Sequence, residues 1–458
     1  MNPELQRNFW LELTTRRLVM MSVVLAVIFL TTLANGGDSA LQAVGGVARV
    51  MFYLIVVFWG TRAAAGAVIG EIRDRTWDFQ RLSALTPSQM LVGKILGATS
   101  YQWFGGAICL AFIVLSRLAE RGPIEAVSEL LYFVAVGLFG QAVSLFVSLI
   151  AVRKRATHTR LDIFVYQISG LIAVVFAAQL WNAAYVTRVL RMQWFNADLD
   201  QLNWHGIHVP AQGFYLLSLL AFLFWALVGN LSLFASELQA RRKSWAWLGF
   251  LVFMVIYVSG FAEEWADAGQ GLGTVRLALA VVTAAALTYA AILLEPKDPV
   301  SYRALIDAFA RMRLGTVFSG MPAWMSSFAL LTVLVVYFLM TFEAPFKEVV
   351  KYKDALSPAI AAGYFFVARD IAIFLYCNFT PRNARGDFAA IVILGVLYFV
   401  LPMLFAALGK GAIMTLVVPY PEAGTAVAVG VPLVEAVLAW ALALARLRTM
   451  TKGRALVH

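Results

Sequence analysis

The sequence contains few residues that form disulfides or bind metals. There are two cysteines, Cys109 and Cys377, and four histidines in the whole chain. Both cysteines lie in apolar stretches, which excludes a disulfide framework, a thiolate metal site and c-type haem attachment. His205 and His208 form the one close histidine pair, and without thiols beside them we expect no bound metal.

The sequence also lacks the motifs of common catalytic sites. It has no G-x-x-x-x-G-K-[ST] loop, no H-E-x-x-H and no G-x-S-x-G. Nor does any Ser/His/Asp or Cys/His set have a recognisable spacing. We therefore expect that the chain is not an enzyme, has no catalytic residues and carries no cofactor of its own.

Charged residues are scarce, at 14% of the chain against 61% hydrophobic residues. Soluble domains have about a quarter charged residues. Because a helical crossing of a bilayer needs about 20 apolar residues, the sequence predicts an all-α polytopic membrane protein with about twelve transmembrane helices. The predicted spans are 18–35, 47–70, 93–116, 130–152, 161–181, 212–236, 246–262, 275–294, 324–341, 357–377, 388–408 and 424–445.

The net charge of +10 is distributed between the apolar runs. This distribution indicates topology signals and contact with membrane lipids, and argues against a nucleic-acid partner. With a cytoplasmic N-terminus, the basic inner loops are 71–94, 153–155, 241–243, 297–313 and 382–385. One predicted outer loop, 342–358, disagrees because it carries three lysines. We expect a multi-pass protein of a bacterial inner membrane with both termini in the cytoplasm.

The predicted spans divide into two six-helix halves. Leu5, Phe9 and Leu13 recur every four residues, which predicts an elbow-like interfacial helix before the first span. The predicted parts are this helix at 1–17, a first transmembrane half at 18–245, a second half at 246–446 and a cytoplasmic tail at 447–458.

Each half has a long polar inner loop between its second and third spans. In the second loop, 295–323, apolar residues at helical spacing predict an amphipathic helix on the inner surface. These residues are Tyr302, Leu305, Ile306, Phe309 and Met312. The two loops share little sequence identity, so a repeat of the halves is a hypothesis about architecture only.

The first of these loops, EIRDRTWDFQRLSALTPSQMLVGK at 71–94, is the most distinctive segment. It resembles the region between the second and third spans of ABC-2 type transporter permeases. Those proteins have a Glu, then a Thr, a Thr-Pro turn and a Gly-Lys pair, and the matching residues here are Glu71, Thr76, Thr86-Pro87 and Gly93-Lys94. The stretch from Thr76 to Pro87 is longer than usual, and Arg75 replaces a frequent Gly. The resemblance covers roughly the first 120 residues.

This resemblance implies a permease subunit of an exporter and a separate cytoplasmic ABC ATPase that binds ATP and Mg. A short helix would fit a groove of the ATPase, with Trp77, Phe79 and Leu82 as anchors. Charged residues would orient it, Pro87 would end it, and Lys94 would transmit motion into the third span. The predicted ATPase-coupling residues are Glu71, Arg73, Asp74, Arg75, Thr76, Trp77, Phe79, Arg81, Leu82, Thr86, Pro87 and Lys94. The simpler alternative is a solvated basic loop.

Four charged residues lie inside predicted spans, where charge is costly. They are Arg62, Arg369, Asp370 and Glu435. Arg369 and Asp370 point about 100° apart on a helix, so we expect them to pair only loosely with each other and Arg369 to pair with Glu435. A structural ion pair is the simpler explanation, and a substrate contact or proton relay is the functional one.

Two further readings stay open. The main alternative to an ABC permease is an ion- or proton-coupled secondary transporter with two six-helix halves. A membrane-embedded enzyme or scaffold has less support, because no catalytic set is present. Abundant aromatic residues suit a lipid-like or hydrophobic substrate, and whether the chain acts alone or as a homodimer is open.

Overall fold

The computed structural model of the chain describes ten stretches of the sequence. They are residues 2–83, 85–154, 160–190, 201–238, 245–264, 271–341, 356–379, 386–408, 416–418 and 424–452. The lysines of the predicted outer loop, the basic clusters at 241–243 and 382–385 and the end of the predicted tail lie outside these residues.

The contacts divide the chain into two units. Unit 1 comprises Met1–Leu202 and His208–Ala246, and unit 2 comprises Asn203–Ile207 and Trp247–His458. Each unit has its own buried apolar core.

Unit 1 contains ten α-helices in the described part of the chain. They are α1 (Pro3–Glu12), α2 (Thr15–Asn35), α3 (Ala40–Phe52), α4 (Gly60–Arg73), α5 (Trp77–Leu82), α6 (Pro87–Val92), α7 (Ser100–Arg121), α8 (Pro123–Arg153), α9 (Arg160–Leu190) and α10 (Ala211–Glu237). A 3-10 turn, Gly37–Ser39, precedes α3. Two π-helical segments, Tyr53–Trp59 and Gly93–Gly97, interrupt the regular helices.

Helix α8 is the centre of unit 1 and packs against α4, α7, α9 and α10. Small residues allow its closest contact. A Cβ atom on Gly170 of α9 would lie 2.4 Å from the carbonyl oxygen of Gly140 on α8. Close backbone approach through small residues is typical of helix packing in membranes, where lipid is as apolar as the side chains.

Unit 2 contains the remaining described α-helices, apart from the first two residues of α11. They are α11 (Trp245–Ser259), which begins at the unit boundary, α12 (Leu272–Leu294), α13 (Pro299–Ala310), α14 (Leu314–Gly320), α15 (Ala323–Thr341), α16 (Leu356–Asn378), α17 (Gly386–Gly395), α18 (Leu401–Ala407) and α19 (Thr425–Lys452). A 3-10 turn, Gly260–Glu264, follows α11, and a π-helical segment, Val396–Val400, joins α17 to α18.

The two units use the same order of helix packing. In unit 1 the second span packs on the third (α3 on α7), and the fourth packs on the sixth (α8 on α10). In unit 2 the corresponding pairs are α12 on α15 and α16 on α19, which are the most extensive contacts of that unit. A repeat of the two halves stays a hypothesis, since their loops differ in sequence.

Twelve helices of the described chain are long and apolar enough to cross a membrane. They confirm the predicted all-α polytopic fold and its number of spans. The second span is longer than predicted, since it runs from Gly37 to Arg73 and includes a π-helical segment. The third begins at Ser100 rather than at 93, because α6 and the π-helical segment Gly93–Gly97 form a separate structure before it.

One short sheet is the exception to the all-α architecture. Strands β1 (Gln201–Trp204) and β2 (Ile207–Pro210) pair through a turn at His205 and Gly206. Both turn residues have positive φ, at 53° and 82°, as a two-residue hairpin with matching twist requires. This hairpin lies between α9 and α10 in the sequence.

The predicted amphipathic helix in the second inner loop is present as α13, but Met312 lies beyond its end at Ala310, with φ of 55°. Tyr302 faces the protein and accepts a hydrogen bond from Trp324 Nε1 (2.7 Å). Ile306, Phe309 and Met312 are exposed. The apolar stripe is therefore divided between the core of unit 2 and the surface, as expected of a helix with one face packed on protein and another turned outward.

Candidate functional site

The segment 71–94 begins with a sharp reversal at the end of α4. The N–H of Thr76 donates to the carbonyl of Glu71 (2.9 Å), and the N–H of Arg75 donates to the carbonyl of Ile72 (3.2 Å). These two bonds form a Schellman motif, which needs a left-handed residue after the helix. Arg75 occupies that position with φ of 60°. This explains why a glycine would suit the same place, since glycine adopts positive φ without strain.

The segment contains two short helices with a turn between them. Helix α5 ends at Leu82, and α6 begins at Pro87. Thr86 and Gln89 form a capping box at the start of α6, and Pro87 takes the first helical position, where its missing N–H is no loss. The prediction that Pro87 ends the coupling helix is wrong, because it starts the next one.

Lys94 is the centre of a buried ionic cluster. Its side chain is only 1% exposed, and its Nζ lies 2.7 Å from Glu4 Oε1 and 2.5 Å from Glu71 Oε2. Arg7 contacts the same two carboxylates, and Gln80 Nε2 donates to Glu71 Oε1 (2.5 Å). We call these five residues the Lys94 cluster. Two cations and two carboxylates balance, which a buried charge requires.

Helix α1 is fixed against this segment by backbone contacts as well. Asn8 Nδ2 donates to the carbonyl of Gly93 (3.1 Å), and Asn2 Nδ2 donates to that of Gln89 (2.8 Å). A Cβ atom on Gly93 would lie 2.3 Å from Glu4 Cγ, so the glycine permits the close approach of α1. The elbow helix is thus joined to both ends of 71–94.

The pKa of Glu4 lies below its ordinary value. Burial opposes ionisation of this carboxyl, but the charges of Lys94 and Arg7 and the hydrogen bonds from Lys94 and Asn8 outweigh that effect. Glu4 is therefore ionised at neutral pH.

The apolar residues of α5 lie on opposite faces. Trp77 is 5% exposed and belongs to the core of unit 1, whereas Phe79 and Leu82 are 75% and 86% exposed. Trp77 and Gln80 are three residues apart and share the inward face, because Gln80 binds Glu71. The prediction of Trp77 as a surface anchor is wrong, while Phe79 and Leu82 are available to a partner.

Some of the other predicted coupling residues are exposed, and others contact neighbouring parts of the protein. Arg73, Asp74, Arg75 and Thr76 are exposed. Arg81 Nε donates to the carbonyl of Glu237 (3.0 Å) at the C-terminus of α10, where the helix dipole favours a cation. Glu4, Arg7 and Gln80 were not predicted, and no local pattern indicates them, since their partners lie in other segments.

A second polar network lies inside unit 2. Arg369 on α16 donates through Nη1 to Glu435 Oε2 on α19 (2.7 Å), so the expected pair is present. Arg369 Nε also donates to Asp370 Oδ1 (3.0 Å). The prediction that these neighbours pair only loosely is wrong, because the long guanidinium side chain folds back to reach the next residue.

Two tyrosines complete this network. Tyr289 of α12 and Tyr398 of the π-helical segment Val396–Val400 each donate to Asp370 Oδ2 at 2.6 Å. The guanidinium also donates to Tyr398 (3.0 Å) and lies 4.5 Å from the Phe366 ring. Sequence reasoning missed both tyrosines, because an isolated tyrosine in an apolar span carries no signal of its partner. Arg62, the fourth predicted intramembrane charge, lies on an exposed face of α4 in unit 1.

Unit 1 has neutral amides at its centre. Gln141 Nε2 donates to the carbonyl of Val56 (3.0 Å), and Gln167 Nε2 donates to that of Phe58 (2.8 Å). Both carbonyls belong to the π-helical segment Tyr53–Trp59, where altered hydrogen bonding leaves acceptors to be satisfied. Asn230 of α10 similarly donates to Ala142 of α8 (2.9 Å).

No group of three or more His, Cys, Asp or Glu residues in the described part of the chain is arranged to hold a metal ion. No family model, curated protein or solved structure matches this chain. The fold and these two networks define a multi-span, all-α membrane protein.

Proposed function

We propose that this protein is the permease subunit of an ABC-2 type transporter in a bacterial inner membrane, with both termini in the cytoplasm. A separate ABC ATPase would bind ATP and Mg and supply the energy. The substrate is lipid-like or hydrophobic in this proposal, and export is the direction that the family resemblance implies.

The observation that carries the proposal is the pair of exposed apolar side chains on α5. Phe79 and Leu82 lie on a short helix whose other face is buried through Trp77. Exposed large apolar residues on a rigid element are typical of a protein-binding surface. Exposed charges at Arg73 and Asp78 next to them would give orientation.

The Lys94 cluster would connect this surface to the membrane helices. A partner that moves α5 acts on Gln80, which binds Glu71 at the end of α4. Glu71 in turn contacts Lys94, which precedes α7, and Arg7 of α1. A push on α5 would thus be directed to the elbow helix and to the second and third spans through charged contacts.

The proposal is tested by copurification from the native membrane. Wild type should retain an ATPase, and Phe79→Ala/Leu82→Ala should lose it while folding normally, because both side chains are exposed. Ile124→Ala/Val127→Ala is the matched control, since these side chains are also exposed apolar residues on a helix start, 83% and 56% exposed. Absence of an ATPase from wild type under gentle extraction would contradict the proposal.

The secondary-transporter alternative is favoured by one observation, the buried charges of unit 2. Carboxylates inside spans are typical of proton and ion pathways. Transport that stops when a protonophore is added while ATP is intact would support this alternative. Transport that depends on ATP with no proton gradient would support the ABC permease.

A further inference from the structure

In the described part of unit 2, the network contains more carboxylates than cations. Arg369 supplies one positive charge, and Asp370 and Glu435 supply two carboxylates. Tyr289 and Tyr398 contribute only neutral hydroxyl donors. With both carboxylates ionised, the network would have a net charge of −1 inside the membrane. An uncompensated charge in a low-dielectric site is strongly unfavourable, so one positive charge must be acquired.

The contacts show which carboxylate is already compensated. Asp370 is 0% exposed and accepts hydrogen bonds from Arg369 Nε, Tyr289 and Tyr398. Three donors to the charged form favour an ionised carboxylate, and its charge cancels that of Arg369. Glu435 accepts a single hydrogen bond, from Arg369 Nη1, among the described contacts. The Glu435 side chain is 23% exposed, so its carboxylate can exchange a proton with the surroundings.

We propose that Glu435 is a proton-binding site and that unit 2 takes up one proton there. A proton fits better than a metal cation, because a metal would need several oxygen ligands. The described residues offer no such group of ligands, and the nearby Leu416 carbonyl accepts from Arg369 (3.3 Å). Binding the proton converts the Glu435 carboxylate to a carboxylic acid and leaves Arg369 and Asp370 as a neutral pair.

In the described chain, three neighbouring elements contribute the charged and titratable groups around Glu435. Helix α16 contributes Arg369, which contacts Glu435 directly, and Asp370, which contacts Arg369. Tyr289 of α12 and Tyr398 of the π-helical segment Val396–Val400 contact Asp370 and not Glu435. From α15 no titratable side chain reaches the network in the described contacts. Among the residues that the structure describes, the charge balance therefore depends on Arg369, Asp370 and Glu435.

Two irregular helices adjoin the network. Pro432 lies inside α19, three residues before Glu435, and removes one helical hydrogen bond. Tyr398 lies in a π-helical segment, an irregularity that is frequent at functional sites. Protonation of Glu435 weakens the charged contact between α16 and α19 at the point where α19 is easiest to bend. The proposal does not depend on an ATPase partner, so its failure and that of the ABC assignment are separate.

The test is an infrared difference titration of the full-length protein in lipid nanodiscs between about pH 8 and about pH 5. Wild type should gain the carbonyl band of one protonated carboxylic acid, and Glu435→Gln should lack it. The Gln amide keeps the size and accepts the same hydrogen bond from Arg369. A monodisperse elution profile would establish that the variant is folded.

The Asp370→Asn variant tests whether the charge balance of the network, rather than the exposure of Glu435, determines how tightly Glu435 binds its proton. Without the Asp370 charge, Arg369 compensates Glu435 directly. The proton affinity of Glu435 should then fall by roughly tenfold or more, and the titration midpoint should move to lower pH. Glu263→Gln is the control, because Glu263 pairs with Arg276 instead (3.1 Å). A band that persists in Glu435→Gln, a midpoint that Asp370→Asn leaves unchanged or raises, or absence of the band from wild type would each overturn the proposal.

Discussion

Lys94 Nζ lies 2.5 Å from Glu71 Oε2, and this contact joins the two ends of the most distinctive segment of the sequence. Glu71 lies in the last turn of the second span, and Lys94 precedes the third. The same ammonium contacts Glu4 of the N-terminal helix. One buried lysine therefore fixes the elbow helix and two membrane spans relative to each other. Its side chain is buried, so it supports the exposed α5 surface from the inside.

Lys94→Met should destabilise unit 1 strongly. The substitution leaves Glu4 and Glu71 close together with only Arg7 to compensate them. Loss of one partner of a buried ion pair costs about 3–5 kcal/mol. Arg17→Gln is the control, because Arg17 and Glu12 form a pair that is largely exposed and contributes about 1 kcal/mol or less. Thermal unfolding in detergent measures both, and equal shifts for the two variants would contradict the role of Lys94.

Acid should release helix α1 through Glu4. Because the folded-state pKa of Glu4 is lowered, its ionisation stabilises the fold above the ordinary carboxyl pKa, and that stability is lost as the pH falls through the lower folded-state pKa. Hydrogen exchange of Pro3–Glu12, corrected for the intrinsic pH effect, should rise in this range. In Glu4→Gln this acid transition should disappear, while Glu12→Gln should retain it. A wild-type helix whose protection does not change on acidification would refute the prediction.

The two faces of α5 should respond differently to truncation. Trp77→Ala should lower stability by about 3–5 kcal/mol, because it leaves a cavity in the core. Phe79→Ala should change stability by less than about 0.5 kcal/mol, because its ring is exposed. Unfolding temperatures of the two variants in the same lipid decide this. A large loss of stability in Phe79→Ala would mean that its ring is covered by the protein itself.

The contact between α8 and α9 should be sensitive to one methyl group. Gly170→Ala places a Cβ against the Gly140 carbonyl and should destabilise by roughly 1–3 kcal/mol. Gly66→Ala is the matched helical control, since a Cβ there meets no atom within 4 Å. Alanine should be neutral or stabilise that site by about 0.5–1 kcal/mol. Similar unfolding temperatures for the two variants would show that α9 can move away without cost.

The sequence alone determined the class of protein, the number of spans and the place of the polar loops. These features depend on the length and composition of local runs, because a bilayer requires about 20 apolar residues per helix whatever the rest of the chain does. The amphipathic helix at α13 and the start of the loop after α4 were also predictable from local patterns. Their hydrogen bonds connect residues a few positions apart.

Only the tertiary structure decided which side chains are exposed on the surface and which are buried and hold the exposed ones in place. Trp77 and Phe79 look equivalent in sequence, yet one is buried and the other exposed, because Gln80 turns its own face of α5 toward Glu71. Glu4 and Lys94, or Arg369 and Glu435, meet across long intervals of chain. Such pairs depend on how helices pack, and buried charges reveal their partners only when the packing is known.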